Sequence, residues 1–191
     1  MLFIGIDPGV KGGMAFYNEK TLNVFPMPII GDKEYDIQRI REILFIETTR
    51  NLKEAIFATI EKQHCMPGEG LPRTFKTGMG FGILLGMFHG LEIPFQIVSA
   101  KEWQSKIFRG LPAGQDTKVS SVLIATRTFP GVDFRRSAHS KNLSDGLTDA
   151  TCIALYTQRF KNNTLGGVEQ NCVHRVLPEN PTVCIACGTI L

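Results

Sequence analysis

Four carboxylates stand where packing alone does not explain them. Asp145 and Asp149 open the segment "DGLTDATCIALY". Four apart on a helix, they share one face, with β-carbons about 5–6 Å from each other. Acids suit a helix N-terminus, where they cap free N–H groups and meet the positive end of the macrodipole, and Ser144 or Asp145 fits the cap position. Capping accounts for one acid better than for two. Asp149 is followed by Ala150, Ile153 and Ala154, a small apolar face that reads as packing on a sheet; an acid there is costly unless it is paired or binds a cation. Asp7 ends the apolar run "LFIGID" and Glu61 ends "IFATIE". Taken singly, the first reads as a solvated Asp-Pro-Gly turn and the second as an edge charge. Brought together, four such oxygen donors are what a hard divalent cation takes.

The surrounding pattern gives the elements that must position them. "LFIGID" reads as a buried strand entering the glycine-rich turn "PGVKGG", and "GMAFY" and "LNVFPM" as two further strands in antiparallel sequence. Ile37, Ile40, Ile43 and Leu44 form the apolar stripe of a helix, and "IFATIE" is a fourth strand. The loop "HCMPGEGLPRTFK" precedes "TGMGFGILLGMFHG", a helix in which Gly78, Gly82, Gly86 and Gly90 recur every four residues. Glycine is a poor helix former, so a helix with this ridge implies close approach of another backbone, the alternative being a strand and turn. "IPFQIV" is a fifth strand, followed by a helix capped by Ser99, a second capped by Asp116 and a final one from about Ser144 to Phe160. Trp103 reads as core.

At 191 residues, with 43% hydrophobic and 20% charged residues, the chain fits a packed α/β domain with room for a small appendage. No apolar run reaches the roughly 18 residues of a membrane span, and no signal peptide pattern opens the chain, so the expectation is an intracellular, cytoplasmic or nucleoid-associated protein. A net charge of +3 permits a polyanionic partner without identifying one. The five cysteines do not suggest a disulfide framework. Polar and glycine residues in "KNNTLGGVEQN" divide the chain into 1–161 and a tail, 162–191. In the tail, Cys172-x-His174 and Cys184-x-x-Cys187 supply four ligands of the type that tetrahedral zinc takes, in a ribbon small enough to require the metal for folding.

The segments "IGIDPGVKGGMAFY", "ATIEKQHCMPGEGLPRTFKTGMGFGILLGMFHGLEIPFQIVSAKEWQ", "DTKVSSVLIATRTFP" and "SDGLTDATCIALY" resemble, in order, the RuvC-type Holliday junction resolvases of the ribonuclease H-like superfamily. The resemblance covers roughly residues 1 to 160. It implies a five-stranded mixed sheet, its first three strands antiparallel, flanked by helices. It also implies that Asp7, Glu61, Asp145 and Asp149 converge on two Mg²⁺ or Mn²⁺ ions, with Asp7 bridging. Such ions activate water and stabilise the charge that develops on a phosphodiester. Many bacterial members space the last two acids three apart; here the gap is four, which still shares a face. Lys118 matches a basic position of the family's "DK" motif, and the glycine-ridged helix, 78–90, resembles the one through which resolvases pair as twofold dimers. The implied activity is metal-dependent, structure-selective cleavage of branched DNA. The alternatives are a non-catalytic branched-DNA binder on the same fold and, from the "GIDPGVKGG" loop, an actin-like ATPase or sugar kinase.

Basic residues flank the acidic segments: Arg73, Lys76, Lys101, Lys106, Lys118, Arg135, Arg136, His139 and Lys141. Each can be an ordinary solvated charge, but their placement favours phosphate binding. Phe75, between Arg73 and Lys76, reads either as the start of a buried helix face or, by the resemblance, as an aromatic that inserts at a junction crossover.

Overall fold

The computed structural model describes residues 1–31, 34–51, 54–64, 68, 70–112 and 114–165, and the backbones of two short strands beyond them. Five strands make the main sheet: β1 (Leu2–Asp7), β2 (Gly13–Tyr17), β3 (Leu22–Pro26), β6 (Ile56–Glu61) and β7 (Phe95–Val98), in the order β3-β2-β1-β6-β7. The first three are antiparallel, and β1 pairs with β6, and β6 with β7, in parallel. This is the mixed sheet expected from the sequence. A small hairpin of β4 (Ile29–Ile30) and β5 (Glu34–Tyr35) was not foreseen, because two-residue strands carry no readable alternation.

The helices are α1 (Ile37–Arg50), α2 (Leu71–Gly90), α3 (Ala100–Ile107), α4 (Thr117–Thr128) and α5 (Asp145–Leu165). Ser99 caps α3 through Glu102 N–H, and Asp116 caps α4 through the N–H groups of Lys118 and Val119, as expected. In α1, Ile40, Ile43 and Leu44 are buried while Ile37, at the first turn, stays exposed. Helix α2 begins six residues earlier than the loop reading allowed, because Pro72 sits in the first turn, where its missing N–H costs nothing. Arg73, Phe75 and Lys76 therefore project from a helix.

Strand alternation divides the core. Leu2, Ile4 and Ile6 of β1 and Ala58 and Ile60 of β6 pack with Ile40, Leu44, Leu84 and Phe88 of α1 and α2. The opposite face takes α4 and α5, with Ala15 and Leu22 against Ala125, Leu147, Ala150 and Ala154. Helix α5 lies on β1 with almost nothing between: a methyl group at Gly5 would fall 2.1 Å from the Ala150 carbonyl oxygen and 2.3 Å from the Ala154 nitrogen. Gly146, at the helix start, is similarly pressed on Lys11 and Gly12 of the β1–β2 turn. The ridge of α2 behaves otherwise. A methyl group at 78, 82, 86 or 90 would meet nothing within 4 Å among the described residues beyond the helix's own turns, so a close approach among them is not what these glycines serve.

The chain divides into two compact units, Met1–Arg159 and Phe160–Leu191. In the second, β8 (Val176–Leu177) and β9 (Asn180–Cys184) form an antiparallel pair. Cys172, His174 and Cys187 lie outside the described residues, and Cys184 ends β9, so the expected zinc ribbon has no support in the fold.

Candidate active site

Parity and register place the first two acids. Asp7 follows Gly5 by two residues on β1, so it emerges on the α5 face. On β6, Thr59 hydrogen-bonds Thr157 of α5 at 2.8 Å, and Glu61 shares its face. The parallel register pairs Ile6 with Ile60, which sets Asp7 and Glu61 beside each other at the carboxyl ends of neighbouring strands. The contact of α5 with Gly5 and the β1–β2 turn then brings Asp145 and Asp149 to the same end.

Electrostatics record that convergence. Burial holds Asp7 well above the usual carboxylate range, and Glu61, Asp149 and Asp145 each push it further. Asp149 rises to about 6, first through burial, with Glu61 and Asp145 adding to the shift and Ser121 and Lys118 opposing it. The Ser121 hydroxyl oxygen is buried and has no hydrogen bond of full geometry. Glu61 is raised by burial, against the pull of Trp103 and His64.

Glu61 and Asp145 have direct partners among the described residues. Trp103, fully buried, donates its indole N–H to Glu61 Oε2 at 2.6 Å, and Lys118 Nζ lies 3.0 Å from Asp145 Oδ2. As they stand, no three His, Cys, Asp or Glu side chains among the described residues are grouped as an ion's ligands. The donor set is nevertheless all oxygen, crowded and partly desolvated, which suits Mg²⁺ or Mn²⁺ and not a soft metal.

A cleft of about 640 Å³ opens over Asp7 and Asp145, with Arg73, Lys76, Lys118 and Lys11 on its walls. Tyr35 also lines it; its hydroxyl accepts the Gly9 N–H at 2.6 Å, which steadies the turn after Asp7, and burial pushes its pKa up to about 12. Phe75 is 70% exposed, which removes the buried-face reading. Lys101 and Lys106 are exposed on α3, away from the cleft lining, as are His139 and Lys141 in the loop before α5. Arg135 is forked onto Asp133 at 2.8–3.1 Å, and Arg136 donates to the Val10 carbonyl at 2.8 Å. Sequence reasoning missed Trp103, Tyr35 and Lys11. Trp103 is indeed core, but its N–H carries a role that only the partner reveals. Tyr35 sits on a strand too short to read, and Lys11 had a signal, its place in the turn after Asp7.

No family model and no curated protein matches the sequence. Solved structures do. A Thermus thermophilus RuvC structure aligns at 18% identity and a TM-score of 0.56, covering 86% of this chain and 97% of that one. A second, of T. thermophilus RuvC in complex with a Holliday junction substrate, aligns at 14% identity and a TM-score of 0.54, over 85% of this chain and 96% of that one. At these identities the likeness establishes the fold: the chain has a RuvC-like, ribonuclease H-type architecture.

Proposed function

We propose that the chain is a metal-dependent endonuclease that resolves four-way or related branched DNA by paired phosphodiester hydrolysis. The observation that carries the reading is the gathering of Asp7, Glu61, Asp145 and Asp149 at one end of the sheet, where burial first and neighbouring carboxylates second raise Asp7 and Asp149, with a cation-walled cleft over Asp7 and Asp145. A merely structural cluster would pair its acids with bases; here Asp7 and Asp149 accumulate repulsion that a divalent cation would relieve. The similarity to a RuvC solved with a Holliday junction supports branched DNA as the substrate class.

Asp7, Glu61, Asp145 and Asp149 would hold two Mg²⁺ or Mn²⁺ ions, which supply an activated water and charge neutralisation at the scissile phosphate. Within the chain, Trp103 keeps Glu61 in one orientation, and Lys118 balances Asp145 before substrate arrives and faces the phosphate afterwards. Arg73 and Lys76 draw the backbone into the cleft. Phe75, exposed one turn into α2, would stack on or wedge between bases.

The same reading includes a homodimer through α2, whose glycine ridge leaves an unfilled helix face. For the tail, zinc on Cys172, His174, Cys184 and Cys187 rests on ligand spacing alone. The described residues contain no helix long and apolar enough to cross a membrane.

The deciding experiment incubates the purified chain with synthetic four-way, Y-shaped and linear DNA in Mg²⁺ or in EDTA, beside Asp7→Asn. We expect paired nicks in the four-way junction with Mg²⁺ only, and none from Asp7→Asn, which still binds the junction. Cutting that survives EDTA or the substitution would refute the mechanism. Tight binding without cutting by the unaltered chain would make it a non-catalytic junction binder.

A further inference from the structure

A second cavity, about 440 Å³, adjoins the catalytic cleft and shares Val10, Lys11, Asp145 and Gly146 with it. Its far wall is the loop before α5, through Arg136, Asn142 and Ser144. Two cations line it, and among the described residues neither takes part in an ion pair. The only carboxylate on its wall, Asp145, is held by Lys118.

The Arg136 guanidinium is set rather than free. Nη2 donates to the Val10 carbonyl at 2.8 Å, tying the loop to the turn that follows Asp7. Nη1 is buried without an acceptor, so the guanidinium keeps charge that no group among the described residues answers, while the residue itself borders the cavity. The loop is itself braced. Residues Arg135 and Leu143 form a β-bridge, Ser144 N–H donates to the Phe134 carbonyl at 2.8 Å, and the Asp133 carboxylate holds Arg135. With Arg135 engaged, Arg136 alone of the pair is directed to the cavity wall. The positive end of α5 borders the same space.

The geometry points to this cavity as a second phosphate subsite, taking a backbone phosphate of the cleaved strand next to the scissile one. This rests on the endonuclease reading. A strand whose scissile phosphate lies over Asp7 must continue past the Val10–Lys11 turn, and the adjoining cavity offers a fixed guanidinium and an ammonium group with no anion of their own. The subsite would set how the strand is registered over the carboxylates, because Arg136 is bonded to the turn that leads from Asp7.

The test is a coupling measurement. Four-way junctions carrying one uncharged methylphosphonate at each linkage around the cut are titrated against the unaltered chain, Arg136→Gln and Lys11→Gln, in Ca²⁺ at fixed salt. We expect each substitution to weaken binding of the all-phosphate junction about tenfold. A methylphosphonate at one or two linkages beside the cut should weaken the unaltered chain similarly and the variants hardly further. Arg136→Gln also removes the Val10 contact, but a structural disturbance would penalise every linkage alike. Among the described residues the Lys11 side chain makes no hydrogen bond or ion pair, so Lys11→Gln must show the same position. Equal methylphosphonate penalties in all three proteins would overturn the subsite while leaving junction binding, and so the endonuclease reading, intact. No junction binding by the unaltered chain would bring down both. Inorganic phosphate is the second arm. Sub-millimolar competition against the unaltered chain but not the variants, without position-specific coupling, would mark a free-anion site and overturn the strand assignment.

Discussion

Asp149 and Asp7 are acids that the folded chain makes hard to ionise, and this has a definite sign in pH. Asp149 is shifted from 3.8 to about 6. Between those values the folded state binds more protons than the unfolded one, so the contribution is present at low pH and is lost as pH rises through about 6. Two units correspond to roughly 3 kcal/mol as an upper figure, and Asp7 and Glu61 shift in the same direction. In EDTA the melting temperature should therefore fall between about pH 4 and pH 6.5, so far as these acids decide it, and Mn²⁺ should raise it at the upper pH with little effect at the lower. A Mn²⁺ effect independent of pH would separate ion binding from these carboxylates. Trp103 offers the complementary test. Trp103→Phe keeps most of the buried ring but loses the donor to Glu61, and we expect a 10–100-fold fall in turnover with a higher Mn²⁺ requirement. A lower yield of folded protein with an unchanged Mn²⁺ requirement would reduce Trp103 to core.

At the level of elements, the decisive contact is α5 on β1. It sets two acids of a helix against two acids of the sheet, and it exists because Gly5 and Gly146 have no side chain. A methyl at Gly5 would strike backbone, which cannot rotate aside; one at Gly80 would meet the edge of the Tyr35 ring at 3.0 Å, which can shift. In urea unfolding, Gly5→Ala should cost about 3 kcal/mol or more, whereas Gly80→Ala should fall within about 1 kcal/mol of the parent, the helix-propensity gain offsetting mild crowding. Similar losses from both would mean that α5 is less tightly seated than the structure has it. The main strands and helices were legible in the sequence because alternation and the Ser99 and Asp116 caps are local signals. The start of α2 was not, since proline reads as a loop residue until its place in a first turn is known. The β4–β5 hairpin carries too few residues for any period.

For the whole molecule, the open face of α2 is the feature that one subunit does not explain. If it pairs two copies, Gly82→Leu should shift the chain from dimer to monomer in sedimentation while its circular dichroism is kept, and paired nicking should become single, unlinked nicks. A monomeric unaltered chain would withdraw the dimer and leave the catalytic reading standing.

Sequence alone determined the order of the main strands along the chain and the faces on which their residues alternate, because strand parity and helical spacing are short-range rules; that Asp7 and Glu61 join Asp145 and Asp149 was an expectation from the family resemblance. The sequence also singled out the glycine ridge, though not what the ridge faces. Only the tertiary structure decided that Trp103 grips Glu61, that Lys118 meets Asp145, and that Arg136 reaches the turn after Asp7. Those pairs join residues 42, 27 and 126 positions apart, and no local rule carries information over such separations; they appear once the sheet and α5 have closed on each other.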